Sequence, residues 1–375
     1  MLTLVLLVIL TALVFEYING FHDTANSIAT VVATKVLTPF QAVTLAATMN
    51  LIGALYGTAV AKTIASGLVD VQVVTITSQV LICALIGGIV WNLITWYVGM
   101  PSSSSHALIG GLCGAALAAA GTNWHAIIWS QPADPWYKGA GLLWKVVLPM
   151  FSSPLMGFTT GLLIMGLLFA IIAGMSNAGG VLARMARPRW VNAFFGKAQI
   201  VSAGYMGFAH GLNDAQKTMG IIALALASAA TVGTLDQLPD WLTFLRPSEA
   251  ALKNGDIDTW IKLTCAVVMA AGTAAGGWRI IKTLGHKLVK LHPIHGFAAE
   301  TSAASVITLA SSLGIPVSTT HNISAAIMGV GTAKSLNAIK WTVVERMIWA
   351  WLLTIPAAGG VAYLLVELLK LMGWA

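Results

Sequence analysis

The chain has 375 residues, of which 57% are hydrophobic and only 9% are charged. Soluble domains carry about 25% charged residues, so this composition excludes a soluble globular enzyme and predicts an all-α membrane protein that crosses the bilayer several times. The formal net charge of +7 predicts no nucleic-acid partner, because the basic residues gather in a few loops, where they indicate membrane orientation.

The first apolar segment is predicted to span the membrane. Residues 1–14 lack the basic start and the small-residue cleavage site of a signal peptide. Glu16 lies near the end of this segment, where we expect it to be interfacial or paired.

A polar run, residues 19–26, follows this segment, and we expect the helix to break there. Asp23 lies within the run, and a carboxylate at membrane depth costs about 2.5–3.5 kcal/mol on insertion scales. Side-chain oxygens of Asp23 and Asn26, together with backbone oxygens freed by the break, predict a site for a coupling cation or a proton. A helix cap formed by Asp23 is the alternative.

Pro101 ends a later apolar helix and is followed by the hydroxyls of Ser103, Ser104 and Ser105. A new apolar helix starts there, and its unpaired N–H groups and the hydroxyls predict a binding site for a tetrahedral anion. N-capping by serine is the alternative. His106 comes next, and it either changes charge near neutral pH or bonds a backbone carbonyl and fixes the hairpin.

Three loops indicate orientation, since cytoplasmic loops are rich in Lys and Arg. The linker 176–197 has four basic residues and no acid, and it separates a predicted first repeat, 1–175, from a second, 198–375. We expect the linker and the basic stretch 279–292 to be cytoplasmic. The acidic loop 232–259 is then external, and both termini face outward.

The second half begins with another polar run, 210–217, where a second helix break is expected. Asp214 is its carboxylate, and Asn213 and Gln216 add amide oxygens, so the run predicts further ligands for a cation or a proton. Lys217 follows Asp214 by three residues on the same helix face. Its ammonium is expected to form a salt bridge with Asp214, to occupy the place of a cation, or to contact the anion directly.

Two further features follow in the second half. Glu300 lies within an apolar helix and is predicted either to bind the coupling ion or to pair with a buried base. Another proline then precedes Ser318, Thr319 and Thr320, which form a second set of predicted anion ligands, and His321 comes after them.

Three landmarks recur in the same order, which indicates a duplicated half. Asp23 and Asp214 are 191 residues apart, the two hydroxyl runs are 215 apart, and the Lys-Thr pairs at 62–63 and 282–283 are 220 apart. The loop charges agree with this duplication if the second copy is inverted in the membrane. The sequence therefore predicts two inverted-topology repeats with discontinuous helices and re-entrant hairpins, an architecture of secondary transporters.

A transporter fits these features better than two other classes of protein. A passive anion channel needs no paired carboxylates, and a membrane enzyme needs an unduplicated catalytic cluster, which the sequence lacks. Tetrahedral shape alone does not separate phosphate from sulfate, so both anions stay open. No cofactor is expected beyond a co-transported H⁺ or Na⁺.

The polar motifs resemble those of the inorganic phosphate transporter (PiT) family. Residues 20–26 (Gly-Phe-His-Asp-Thr-Ala-Asn) and 210–217 (His-Gly-Leu-Asn-Asp-Ala-Gln-Lys) look like its two signatures, and 101–106 and 316–321 look like its hairpin motifs. The resemblance spans most of the chain. It implies a phosphate symporter of the plasma (inner) membrane, driven by Na⁺ or H⁺, with inverted repeats and outward termini, although certain members move sulfate.

The resemblance also implies roles for single residues. The family's cation-site positions fall on Asp23, Asn26, Asn213 and Asp214, and its phosphate-site positions fall on the two hydroxyl runs. In a sodium-coupled member, Asp23 and Asp214 would bind Na⁺.

Two departures from the sodium-coupled pattern bear on the coupling ion. Sodium-coupled members carry Asn where this chain has His22 and Lys217, so the resemblance favours the proton-coupled branch, which is described as accepting neutral metal–phosphate complexes. The predicted partners are phosphate, the coupling cation and the lipid bilayer, and a homodimer stays open.

Overall fold

The computed structural model describes residues 2–121, 123–135, 139–236 and 238–374, and these residues form helices without any β-strand. The predicted all-α membrane architecture is confirmed. The α-helices are Leu2–Ala33 (α1), Pro39–Ala54 (α2), Ala59–Ser66 (α3), Ser78–Val98 (α4), Ser104–Ala119 (α5), Leu148–Asn177 (α6), Gly180–Met185 (α7), Pro188–Thr231 (α8), Glu249–Asn254 (α9), Thr259–Ala275 (α10), Trp278–Lys282 (α11), Pro293–Ser312 (α12), Thr319–Lys334 (α13) and Trp341–Leu371 (α14). Wider π-helical turns precede α6 (Leu143–Val147) and follow α11 (Thr283–Lys287).

Several of these helices are long and apolar enough to cross a membrane. Among the described residues, four qualify singly: α1, α4, α6 with its preceding turn, and α14. Two bent pairs raise the number to six, with a bend of 71° between α2 and α3 and of 109° between Asp240–Asn254 and α10. The chain is therefore a multi-pass membrane protein.

The predicted helix breaks at the two acidic motifs are wrong. α1 is continuous through 19–26, and α8 is continuous through 210–217. The glycines within these two runs allow close helix packing, since a Cβ on Gly20 would lie 2.4 Å from a backbone oxygen of α10, and one on Gly211 would lie 2.2 Å from a backbone oxygen of α2. The backbone hydrogen bonds of both helices stay intact, so no backbone oxygen is freed there for a cation.

The chain breaks elsewhere, at matching places in the two halves. α2 bends into α3, and the corresponding α10 and α11 are separated by Gly276 and Gly277; the φ of Gly276, +74°, is a conformation that glycine tolerates. The other breaks are two hairpin tips. The first tip, residues 99–103, joins α4 to α5, and the second tip, residues 313–318, joins α12 to α13.

α1 and α8, which carry the two acidic motifs, pack side by side and run in opposite directions. Glu16 of α1 contacts Thr218 of α8, whereas Thr34 donates to Gln199 at 2.8 Å. Residue numbers therefore rise along one helix as they fall along the other. Helices of one half also pack on helices of the other, since α5 of the first half packs on α14 of the second, and α13 of the second half packs on α6 of the first.

Opposed directions of α1 and α8 are what inverted repeats require. The repeat boundaries and the orientation of each half in the membrane stay predictions. The expected external termini concern residues 1 and 375, which lie outside the described residues.

Two apolar cores lie at opposite ends of the α1–α8 pair. One contains α1 up to Phe15 and α8 from Ala215 onward, and the other contains α1 from Ala25 onward and α8 up to Ala209. The helix segments between these cores carry buried polar side chains. We call this region the polar layer, and it places the acidic motifs at mid-height in the helix bundle.

Candidate functional site

The starts of α5 and α13 meet at the polar layer. Ser103 caps α5 by accepting a hydrogen bond from the His106 N–H at 3.2 Å, and Ser318 caps α13 by accepting one from the His321 N–H at 3.1 Å. The two histidine rings pack against each other with centroids 4.8 Å apart. Helix starts that bear hydroxyl groups are therefore brought together from both halves.

The carboxylates of the two halves also meet. Asp23, His210 and Asp214 are buried, and each offers a ligand atom within 4.8 Å of the others. Buried carboxylates are stable only where cations or hydrogen bonds offset their charge. The structure thus collects acidic motif residues from both halves into one cluster.

Asp214 has the larger set of partners. Its Oδ1 contacts the ammonium of Lys217 and accepts a hydrogen bond of 2.8 Å from Asn213. Its Oδ2 lies 2.9 Å from His210 Nε2 and accepts a hydrogen bond of 2.9 Å from the Thr319 hydroxyl. Both oxygens of this carboxylate are therefore engaged by groups of the chain itself.

Asp23 has fewer partners. Its Oδ1 lies 2.6 Å from His22 Nδ1 and accepts a hydrogen bond of 3.4 Å from the Thr320 hydroxyl. In the part of the chain that the structure describes, no Lys or Arg forms an ion pair with Asp23. Asp23 therefore lacks the permanent cation that Asp214 has.

Lys217 links the acidic cluster to the helix starts. Its ammonium contacts Asp214 and the Ser105 hydroxyl, and it donates to the Val317 carbonyl oxygen in the second tip at 3.1 Å. Only 2% of the residue is exposed. Of the roles that the sequence leaves open, the salt bridge with Asp214 is present, and the ammonium also lies beside a hydroxyl of the predicted anion site.

The hydroxyls of α13 connect the two predicted sites. Asn26 Nδ2 donates to Thr319 at 3.1 Å and to Thr320 at 2.9 Å, and these hydroxyls in turn donate to the two carboxylates. At the other helix start, the Ser104 hydroxyl lies 3.5 Å from His22 Nδ1. The hydroxyls of the predicted anion site and the two aspartates of the predicted cation site therefore belong to one hydrogen-bond network.

Gln216, a predicted coupling residue, lies away from this cluster. Two residues beyond Asp214 correspond to a rotation of about 200° around α8, so Gln216 faces the other way. Its Oε1 accepts hydrogen bonds from the N–H groups of Val60 at 2.8 Å and Ala61 at 3.3 Å. Gln216 therefore caps the start of α3, and its amide oxygen is not directed at the cluster.

Glu300 also lies outside the cluster, in its own buried network. It contacts the hydroxyls of Thr30 and Ser202 and accepts a hydrogen bond of 3.1 Å from Gln199. Glu300 is fully buried, and the described residues provide no basic side chain that pairs with it. Thr30 lies two helical turns beyond Asp23 on the same face of α1, so the two networks are neighbours along that helix.

Glu16 is a buried acid that sequence reasoning placed wrongly. The structure buries it completely, in contact with the Thr218 hydroxyl. The expected break would have put Glu16 near a segment end, whereas the observed α1 is 32 residues long and Glu16 lies near its middle. A sequence signal existed, because Glu16 and Asp23 are seven residues apart and share one helix face.

Comparisons with known proteins identify relatives of this chain. The model of the phosphate transporter family matches residues 19–362. A probable low-affinity inorganic phosphate transporter of Bacillus subtilis is 39% identical over 98% of this chain and 99% of its own length. A protein of the same description from Mycobacterium bovis is 41% identical over 99% of this chain and 78% of its own length.

A solved structure described as the sodium-dependent phosphate transporter has the same fold. It superposes with a TM-score of 0.75 at 24% identity, and the match covers 98% of this chain and 99% of that one. The family match and the two bacterial relatives, each aligned over nearly the whole chain, show that this chain belongs to the phosphate transporter family.

Proposed function

We propose that the protein is a secondary active transporter that carries inorganic phosphate across the membrane together with protons. The observation that supports this most directly is the meeting, in one buried layer, of two helix starts that bear hydroxyl groups with Lys217, Asp23 and Asp214. The helix starts and the lysine suit an anion, and the carboxylates suit a co-transported cation.

The helix starts supply what an anion needs in a buried place. The first N–H groups of a helix have no partner within the helix, and the helix dipole makes that end partly positive. The hydroxyls add further donors, and Lys217 adds a full positive charge beside Ser105. These groups offset the large cost of removing phosphate from water.

Carboxylates beside the hydroxyls favour phosphate over sulfate. At neutral pH, phosphate carries a proton that it can donate in a hydrogen bond, and sulfate does not. Asp23 and Asp214 accept hydrogen bonds from Thr320 and Thr319, so a phosphate held by these hydroxyls would find a carboxylate acceptor nearby. A sulfate in the same place has no proton to donate, so its only interaction with the two carboxylates would be charge repulsion.

The unequal partners of the two carboxylates favour a proton over sodium. Hard cations are bound by several oxygen ligands, but the groups around Asp214 include the ammonium of Lys217 and a nitrogen of His210. A proton on Asp23 would neutralise that carboxylate and release the Thr320 hydroxyl to donate to the anion. Proton uptake and phosphate binding would then strengthen each other, which is the coupling that a symporter requires.

Two alternatives have specific support. The Oδ1 atom of Asn26 is buried and has no hydrogen-bond partner among the described residues, and this free amide oxygen beside the cluster favours sodium. The Asp23 carboxylate, which forms no ion pair with a Lys or Arg among the described residues and lies near the hydroxyls, favours a neutral metal–phosphate complex as the carried species, because carboxylates are good ligands for divalent metals.

Uptake of radiolabelled phosphate into proteoliposomes tests the proposal, with a pH gradient and a Na⁺ gradient imposed separately. We expect the pH gradient to drive accumulation above the external concentration, and excess unlabelled sulfate to leave uptake unchanged. Accumulation driven by sodium alone would replace proton coupling by sodium coupling. Equilibration without accumulation would indicate a passive channel, and competition by sulfate would indicate a sulfate carrier. Repeating the uptake with and without Mg²⁺ identifies the carried species.

A further inference from the structure

A lysine–threonine pair recurs in both halves, and the proposed transport site does not use it. Thr63 lies in α3, and Thr283 lies in the π-helical turn after α11. The Thr63 hydroxyl donates to the Gly314 carbonyl oxygen at 2.7 Å, and the Thr283 hydroxyl donates to the Gly99 carbonyl oxygen at 2.8 Å. Each threonine therefore holds the hairpin tip of the other half. We call these contacts the first clamp (Thr63 with Gly314) and the second clamp (Thr283 with Gly99).

The two tips are shaped for this contact. Gly99 has a φ of +68° and Gly314 a φ of +66°, conformations that other residues rarely adopt. A Cβ on Gly314 would lie 3.1 Å from the Ala59 oxygen, and one on Gly99 would lie 3.4 Å from the Arg279 oxygen. Ala59 and Arg279 each precede the clamp threonine by four residues. The Thr63 hydroxyl also donates to the Ala59 oxygen at 3.3 Å, and the Thr283 hydroxyl donates to the Arg279 oxygen at 3.4 Å. The clamps thus repeat the same contacts in both halves.

The clamped glycines are close in sequence to the proposed phosphate site. Gly99 lies four residues before Ser103, and Gly314 lies four residues before Ser318, the two serines that cap α5 and α13. The second of these segments also carries the Val317 oxygen, which accepts from the site lysine at 3.1 Å. Because so short a segment has little slack, moving a glycine would move the helix start behind it.

The loop charges assign the two clamps to opposite faces of the membrane. Lys62, next to Thr63, pairs with Asp256 of the predicted external loop 232–259 at 2.6 Å. Thr283 belongs to the basic stretch 279–292, which is predicted to be cytoplasmic. The first clamp is therefore predicted to be on the outer side and the second on the inner side.

We propose that Thr63 and Thr283 are positioning residues, each of which holds one helix start of the phosphate site closed toward one face of the membrane. Release of one clamp while the other holds would open the site to one side at a time. This inference rests on the proposed transport function, which it extends by naming the contacts that control access.

Side-specific labelling tests the clamps. Thr63→Val and Thr283→Val each remove one hydroxyl with little change of shape. The three native cysteines, all buried, are replaced, and a single reporter cysteine is placed in the second tip (Ile315→Cys) or in the first tip (Met100→Cys). The rate of labelling by a membrane-impermeant maleimide is then measured from each side of oriented vesicles.

Loss of one hydrogen bond corresponds to about a two- to tenfold increase in the population of molecules in which that clamp is open. We expect Thr63→Val to raise labelling of the Ile315→Cys reporter by this factor from the outer face, and to leave the Met100→Cys reporter unchanged. Thr283→Val should raise labelling of the Met100→Cys reporter from the inner face and leave the other unchanged. A merely structural role would not produce this dependence on side and tip.

Three controls keep the result decisive. Thr63→Ser and Thr283→Ser retain the hydroxyl and should label at the unmodified rate. Thr264→Val removes a hydroxyl that donates within its own helix, to the Trp260 oxygen at 2.8 Å, and should change neither tip. Alanine replaces valine in any clamp variant that is not recovered as a folded protein.

Unchanged labelling in both clamp variants, or equal changes at both tips, would overturn the assignment. The labelling needs no phosphate. Failure of the unmodified protein to accumulate phosphate would therefore overturn the proposed function and still leave the clamp measurement readable.

Discussion

Asp23 and Asp214 occupy equivalent places in the two halves, but their surroundings differ. Three residues after Asp214 stands Lys217, whose ammonium contacts it, whereas three residues after Asp23 stands Asn26. The ammonium balances the charge of the Asp214 carboxylate, whereas the neutral amide of Asn26 cannot balance the charge of Asp23. Equivalent positions in the sequence therefore do not give the two acids equivalent charge balance, since Asp214 belongs to a fixed charge pair and Asp23 does not.

The largest effect is expected from breaking the fixed pair. Asp214→Asn leaves Lys217 buried without its carboxylate, and removing one partner of a buried pair costs about 3–5 kcal/mol. Phosphate uptake should fall by about 100-fold or more, and the thermal unfolding midpoint in detergent should drop. The double variant Asp214→Asn with Lys217→Met removes both charges, so it should regain stability but not uptake. A double variant no more stable than Asp214→Asn would show that the pair is not a structural unit.

Asp23→Asn should separate transport from stability. The amide can keep the contact with Thr320 but cannot carry a proton, so accumulation driven by a pH gradient should be lost. The unfolding midpoint should stay close to that of the unmodified protein, because no buried cation is left unpaired. Exchange of labelled for unlabelled phosphate without a gradient should persist. Gradient-driven accumulation by both Asp23→Asn and Asp214→Asn would contradict the coupling assignment.

A smaller effect is expected at Glu300, whose acidic network has no basic partner among the described residues. Glu300→Gln puts an amide N–H₂ where Ser202, Thr30 or Gln199 now directs a donor, and an unsatisfied buried group costs about 1–3 kcal/mol. Thermal unfolding measures the loss. Ser202→Ala removes one of the competing donors, so adding it to Glu300→Gln should restore part of the stability. Strictly additive losses would mean that the two side chains do not interact.

The smallest effect is expected at Gln216, which caps α3 and does not face the acids. Gln216→Ala should cost about 1 kcal/mol of stability, the usual worth of a hydrogen bond, and leave the KM for phosphate unchanged. Initial uptake rates over a range of phosphate concentrations provide the measurement. An increase in KM would show that Gln216 takes part in the transport site after all.

The two acidic motifs show how far sequence reasoning reaches in this protein. Asp23 and Asp214 could be identified because carboxylates are costly in a bilayer, so a duplicated pair indicates function. The expected helix breaks were wrong because a polar run that contains glycine, within an apolar segment, is compatible either with a break or with a continuous helix packed closely on a neighbour. Only the packing of Gly20 on α10 and of Gly211 on α2 decides between them.

Contacts between residues that are distant in sequence were the other limit on prediction from the sequence. Gln216 and Glu16 could not be placed correctly from their own segments, since their contacts are with Val60 of α3 and Thr218 of α8. The same holds for the clamps: the repeated Lys-Thr pairs could be seen in the sequence, but no local pattern indicates that each threonine reaches a glycine of the other half.

The sequence by itself determined that the chain is an all-helical membrane protein, and it predicted two repeats from acids and hydroxyls at matching positions, because composition and the cost of buried polar groups act residue by residue. The tertiary structure alone decided which polar residues face the site and where the chain bends. The physical reason is that these outcomes depend on contacts between helices separated by more than a hundred residues, and such contacts are set by packing geometry rather than by local preference.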